Sequence, residues 1–168
     1  MELLIRTETE GDIDRIAEII ELAFQEHPYS NHTEHIIVKH LRREQALALS
    51  LVAEVAGEII GHLAFSEVEI SDGSTGWFGL GPLAIVPAMQ GKGIGSALVR
   101  EGLARLRQQG AKGCVLLGEP SYYRRFGFTN DPDLFIEEES QEYFLVLYFT
   151  DARARGVVSY HPAYFRPC

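Results

Sequence analysis

Apolar and polar positions alternate over residues 3–8, which predicts a first strand. Thr9 follows where it can cap a helix, and Asp12, three residues on, completes a box-like pair with negative charge in the first turn. Ile13, Ile16, Ala17, Ile20, Ala23 and Phe24 then recur at helical spacing, and Pro28 sets the end of that helix. A loop rich in His, Ser and Asn leads to a shorter helix over residues 33–43, carrying Ile36, Ile37 and Leu41. Residues 47–55 and 58–70 read as strands joined at Ala56-Gly57, and Asp72-Gly73 marks another turn. A further strand over 77–86 is broken by Gly79, Gly81 and Pro82. The next helix spans 93–109 with Gly110 as its stop; Ile94, Ala97, Leu98 and Leu106 face a core and Arg100, Glu101, Arg105 and Arg107 face water. A short buried strand at 114–117, a turn or short helix at 121–126 and a late strand at 143–149 complete the pattern. The order predicts a mixed α/β fold packed by helices.

At 168 residues the chain is read as a single domain, 1–168, with a core over about 3–149 and a tail over 150–168. The tail holds Val157-Val158 and several aromatics, which suit docking on the body or a homodimer contact. No apolar run approaches the length of a membrane span, and the start lacks the pattern of a signal peptide, so a cytoplasmic protein is expected. A net charge of −9 repels phosphate backbones, which argues against a nucleic-acid partner and suits a cationic one. The two cysteines supply no disulfide framework: Cys114 lies in an apolar run as core filler, and Cys168 belongs to a loosely held terminus.

The densest chemistry lies in Leu83-Ala84-Ile85-Val86-Pro87-Ala88-Met89-Gln90-Gly91-Lys92-Gly93-Ile94-Gly95-Ser96, a strand that stops at a proline, turns through glycines and opens a helix. Such a turn presents unpaired backbone N–H groups at the positive end of a helix dipole, where a pyrophosphate is the natural guest. The spacing is not that of a dinucleotide fingerprint, because Ser96 stands where the third glycine belongs, and no P-loop string occurs.

Gln90-x-x-Gly93-x-Gly95 resembles the Q/R-x-x-G-x-G/A signature of GNAT-superfamily N-acetyltransferases, and Tyr123-Arg124-Arg125-Phe126-Gly127-Phe128 resembles the family's Y-x-x-x-G-F segment. The order of strands and helices over about 3–149 matches as well, whereas the last twenty or so residues fall outside the resemblance. The resemblance implies a central, mostly antiparallel sheet of about six to seven strands, splayed between the fourth and fifth, with helices on both faces. It implies acetyl-coenzyme A as cosubstrate, with no metal, and a small-molecule or peptide amine as acceptor. The main chain of Leu83, Ala84 and Ile85 would bind the pantetheine arm, and Gln90, Gly91, Lys92, Gly93, Ile94, Gly95 and Ser96 would hold the pyrophosphate. Tyr123 would be the general acid that protonates the departing thiolate, with neighbouring Tyr122 as competitor.

No general base is assigned: the strand over 77–86 holds no acid, and Glu67, Glu69 and Glu119 are the nearest candidates, each also readable as a surface or turn carboxylate. His27, His32, His35 and His40 gather where the family builds its acceptor site, and are read as polar lining rather than metal ligands. Glu137-Glu138-Glu139 with Glu142 is read as solvated charge. The alternative to an enzyme is a non-catalytic acetyl-coenzyme A sensor or interaction domain; Tyr123 speaks against it, and the missing strand carboxylate speaks for it.

Overall fold

The computed structural model describes residues 2–28, 30–137 and 139–166, so Cys168 and the middle member of the acidic run, Glu138, lie outside the described residues. Strand β1 (Leu3–Thr7) leads through a short 3-10 turn (Glu10–Asp12) into helix α1 (Ile13–Phe24). The Asp12 carboxylate accepts the Thr9 N–H at 2.7 Å and is gripped by Arg6 at 2.8 and 3.1 Å, so the box-like pair also ties the helix start to β1. Helix α1 ends at Phe24, four residues before the expected stop at Pro28, and the His27 N–H closes a turn onto Phe24 O. Helix α2 (Glu34–Arg43) and strands β2 (Leu47–Val55) and β3 (Glu58–Glu67) follow. The expected strand over 58–70 is two: at Val68 the chain leaves β3, and β4 (Glu69–Ile70) pairs with a different partner.

Next come β5 (Trp77–Ile85), α3 (Ile94–Gln108), β6 (Gly113–Leu117), the one-turn helix α4 (Pro120–Tyr123), β7 (Leu134–Phe135), β8 (Phe144–Tyr148) and β9 (Gly156–Ser159). The main sheet has the order β1-β2-β3-β5-β6-β8, and only the β5–β6 pairing in it is parallel. That pairing covers three positions, Trp77↔Gly113, Phe78↔Cys114 and Gly79↔Val115. Beyond Gly79 the fourth strand in the order, β5, keeps β3 on one side and diverges from the fifth, β6. The splay expected between the fourth and fifth strands is therefore present.

Side chains alternate along β3 and sort the layers. Leu63 and Phe65 face α3, so closely that a Cβ on Gly102 would stand 2.5 Å from the Phe65 ring. His62, Ala64 and Ser66 point to the opposite face, where α2 is tied to the sheet through Arg42, Glu8 and Ser50. On that same face, beside Trp77, Val115 and Val146, lies a second, three-stranded sheet of order β4-β9-β7 with its own hydrophobic cluster. Its strands are two to four residues long, too short for periodicity to reveal, and β9 comes from the tail. Past β9, Arg166 clamps Glu44 at 3.0 and 2.9 Å and fixes a 3-10 turn (Pro162–Phe165) near the end of α2. Cys114 is fully buried in the sheet.

Replacing Gly102 by Ala forces the buried Phe65 ring to move, and urea denaturation is expected to show a loss of about 1–3 kcal/mol.

Candidate active site

Where β5 ends, Val86 N–H still bonds to Ile60 O of β3 at 3.0 Å. By strand alternation Ala84 also directs its peptide groups to β3, while those of Leu83 and Ile85 face the splay, where β6 no longer pairs with them. Of the three residues expected to bind a pantetheine arm, Leu83 and Ile85 thus turn N–H groups to the splay where β6 does not pair, and Ala84 is buried.

The chain then makes a 3-10 turn (Pro87–Met89) and folds back, with the Gln90 amide donating to Ile85 O at 3.0 Å. That bond sets the loop against the strand end, as expected of the Gln90 side chain, but the Gln90 N–H, expected among the pyrophosphate donors, is given to Pro87 O at 3.3 Å because the 3-10 turn closes on it. Gly91 and Gly93 have φ of 76° and 81°, a conformation that side chains rarely tolerate, and it turns successive N–H groups outward. The first backbone bond closing onto α3 runs from Ala97 N–H to Gly93 O at 3.1 Å. Among the described residues the N–H groups of Gly91, Lys92, Gly93, Ile94, Gly95 and Ser96 have no backbone acceptor, and no Cβ crowds Gly91 or Gly93. Six donors at the positive end of a fifteen-residue helix make an anion cradle.

Helix α4 lies on the α3 side of the splay. Glu119 caps it, accepting from the Ser121 hydroxyl at 3.2 Å, and Gly118 leaves the room that the Tyr123 ring fills. Tyr123 packs edge-on against Tyr122 and Phe128, with ring centroids 4.9 and 6.1 Å away. Burial, with smaller contributions from Tyr122 and Cys114, pushes its phenol well above the ordinary value, so it stays protonated at neutral pH. Tyr122 instead reaches the helix start, its hydroxyl 3.2 Å from Ser96 Oγ, and Arg125 stacks on its ring at 4.5 Å. The two neighbours are thus separated by geometry: Tyr122 reaches Ser96 at the start of α3, and Tyr123 lies in the packed aromatic cluster.

A strand that opens on one edge, followed at once by an anion cradle, is the arrangement in which one extended phosphate-bearing ligand can be held by both. A family model described as the acetyltransferase (GNAT) family matches residues 13–128. The chain belongs to the GNAT acetyltransferase family. This GNAT chain is 36% identical over 127 residues to the N-acetyltransferase YhbS of Escherichia coli K12, a match covering 75% of this chain and 73% of that protein. A GNAT acetyltransferase from Brucella melitensis, solved with acetyl-CoA, superposes with TM-score 0.87 at 47% identity, covering 97% of this chain and 98% of that one. The YhbS crystal structure, solved with CoA, gives TM-score 0.90 at 32% identity, covering 99% and 93%. The GNAT fold thus extends over the tail, beyond the stretch on which the motifs lie.

The three carboxylates named above as nearest candidates for a base are exposed. Glu67 and Glu69 are exposed at the end of β3 and on β4, and Glu119 is the cap of α4. His35 lies 3.7 Å from Glu21, His32 sits outside α2 with φ of 63°, and among the described residues no three metal-binding side chains gather. Glu137, Glu139 and Glu142 are exposed. No helix among the described residues is long and apolar enough to cross a membrane.

Sequence reasoning missed a buried polar chain on the face opposite α3. Arg42 donates to both Glu8 oxygens at 3.0 and 2.8 Å, Ser50 donates its hydroxyl proton to Glu8, and His62 Nε2 lies 2.8 Å from Ser50 Oγ. Because the Ser50 proton is committed to Glu8, the Nε2 of His62 carries the donor hydrogen, which leaves Nδ1 bare and, among the described residues, without a partner. Burial of Glu8 would raise its pKa, but Arg42 and Ser50 outweigh it and hold the carboxylate below the usual range. Burial depresses His62 from 6.5 to about 4, so the ring is neutral in the folded protein.

Between pH 6.5 and about 4 the unfolded chain therefore binds a proton that the folded His62 refuses. Stability is expected to fall on acidification through that window, by at most about 1.4 kcal/mol per pH unit from this group. Chemical denaturation at a series of pH values checks it: His62→Gln should flatten the slope there relative to wild type.

Proposed function

We propose that this protein transfers the acetyl group of acetyl-coenzyme A to a primary amine by direct attack of the amine on the thioester. The observation that carries the reading is the continuity of the N–H groups that Leu83 and Ile85 turn to the splay with the N–H groups from Gly91 to Ser96, which have no backbone acceptor among the described residues. The edge suits the amide-bearing pantetheine arm, and the cradle suits the diphosphate. The relatives solved with acetyl-CoA and CoA support the same choice of ligand.

The chemistry asked of the chain is modest. In this reading the N–H of Leu83, on the splayed edge, polarises the thioester carbonyl and stabilises the oxyanion as the amine attacks. A C–N bond forms and the C–S bond breaks, so the amine loses one proton and the thiolate gains one. Tyr123, kept protonated by burial, supplies the proton to sulfur and regains one from solvent as the amine gives its own away. A neutral amine needs no resident carboxylate for this balance, in keeping with the absence of an acid along β5.

Two variants separate binding from chemistry. Gly93→Asp places a negative charge in the cradle, and calorimetry is expected to show coenzyme A affinity reduced at least roughly ten-fold while the fold is kept. Tyr123→Phe is expected to leave that affinity within about two-fold and to lower kcat for thiol release roughly a hundred-fold. An undiminished kcat in Tyr123→Phe removes the tyrosine from the mechanism, and absence of coenzyme A binding by the wild type removes the function itself.

A further inference from the structure

The splay has two faces, and the coenzyme reading uses only one. The cradle, α3 and α4 lie on the face to which Leu63 and Phe65 point. On the opposite face, at the vertex where β6 departs, stand two tyrosines of the tail. Tyr160 packs on Gly79, the last residue of β5 paired with β6, so tightly that a Cβ there would lie 2.5 Å from its ring. Tyr164 stacks against Tyr160 at 5.0 Å and donates its hydroxyl to Gly81 O at 3.3 Å. Gly81 lies in an irregular stretch of β5, where the register with β3 shifts between Leu63 and Phe65, and it precedes Leu83 by two residues.

We infer that Tyr164 is the positioning residue for the attacking amine. The inference rests on the acetyl-transfer reading and adds the acceptor side of that same site. A phenol has one hydrogen to donate and two lone pairs to accept with. Gly81 O takes the hydrogen, the Ser66 hydroxyl stands toward one lone pair, and the other remains for an N–H of the incoming amine. Two residues of chain span at most about 7 Å, so an amine held at this hydroxyl lies within reach of a thioester carbonyl at the Leu83 N–H. It approaches from the face opposite the coenzyme and Tyr123.

The surroundings suit this role. Burial raises the Tyr164 phenol, opposed in part by Ser66 beside it, so the group orients the nucleophile and does not take its proton. The Ser66 hydroxyl, buried on the same face, has no partner of good geometry among the described residues. Ala163, fully buried, and the Arg166–Glu44 pair hold the segment on both sides of the tyrosine.

The test uses Tyr164→Phe, which keeps the ring and its packing, with hydroxylamine, n-butylamine and a lysine-containing peptide as acceptor probes and coenzyme A release as readout. The expected result is a roughly ten-fold loss of kcat/KM for the amine, with acetyl-coenzyme A affinity by calorimetry and the thermal midpoint both unchanged. Amine kinetics equal to wild type overturn the inference. So does a loss shared equally by coenzyme affinity, which marks Tyr164 as a structural support. Wild type that binds coenzyme A and transfers to none of the three probes also overturns it, whereas failure to bind coenzyme A overturns the function proposed above instead.

Discussion

The parting of β5 from β6 after Gly79 is the constraint on which the rest of the molecule depends. A central strand normally satisfies its peptide groups on both sides, and leaving one side open inside a protein is costly unless something else fills it. Here the opening is stabilised from both faces rather than closed. Tyr123 fills the space above Gly118 on one side, and Tyr160 fills the space above Gly79 on the other. Each close approach needs a glycine beneath an aromatic ring, so the splay is built by the packing and is not a gap in it.

The same divergence explains why the loop after β5 takes its shape. A strand that ended in full pairing would carry its direction onward; this one is turned by Pro87, pinned by the Gln90 bond to Ile85 O, and released into α3 through two left-handed glycines. The positive end of the helix therefore points back along the free edge. Within the loop from Pro87 to Ser96, Lys92 is the one basic side chain, and Arg125 stacks on the neighbouring Tyr122, so in a chain of net charge −9 the main chain and the helix dipole add to a small local positive charge.

Much of this was legible in the sequence where a local signal is strong. The limits of β2 were read correctly, and α3 was placed to within a residue at each end, because long periodic stretches and a glycine stop report themselves. The glycine turn into α3 was read from the order of its residues, whereas the choice of Tyr123 over Tyr122 came from the resemblance to the family's Y-x-x-x-G-F segment. What stayed hidden depends on partners distant in the chain. β4, β7 and β9 are too short to show a period, and β3 was read as running on to Ile70 because nothing at Val68 announces a change of partner. His62 sits in an apolar strand and reads as one polar interruption; only the fold brings Ser50, Glu8 and Arg42 to it. Tyr160 and Tyr164 belong to a segment without a motif, and their place beside Gly79 and Gly81 is a fact of tertiary packing.

The existence of two hydrophobic clusters has a consequence for how such a protein can change over generations. One cluster underlies the cradle, α3 and Tyr123, and the other underlies the tail sheet and Tyr160. Substitutions in separate packing units combine almost independently. Drift among Val68, Leu134 and Val158 therefore reshapes the floor beneath Tyr160 while the donor half keeps its geometry. Such an architecture permits new acceptors to be tried, in nature or by grafting at the bench, without relearning how to hold the thioester.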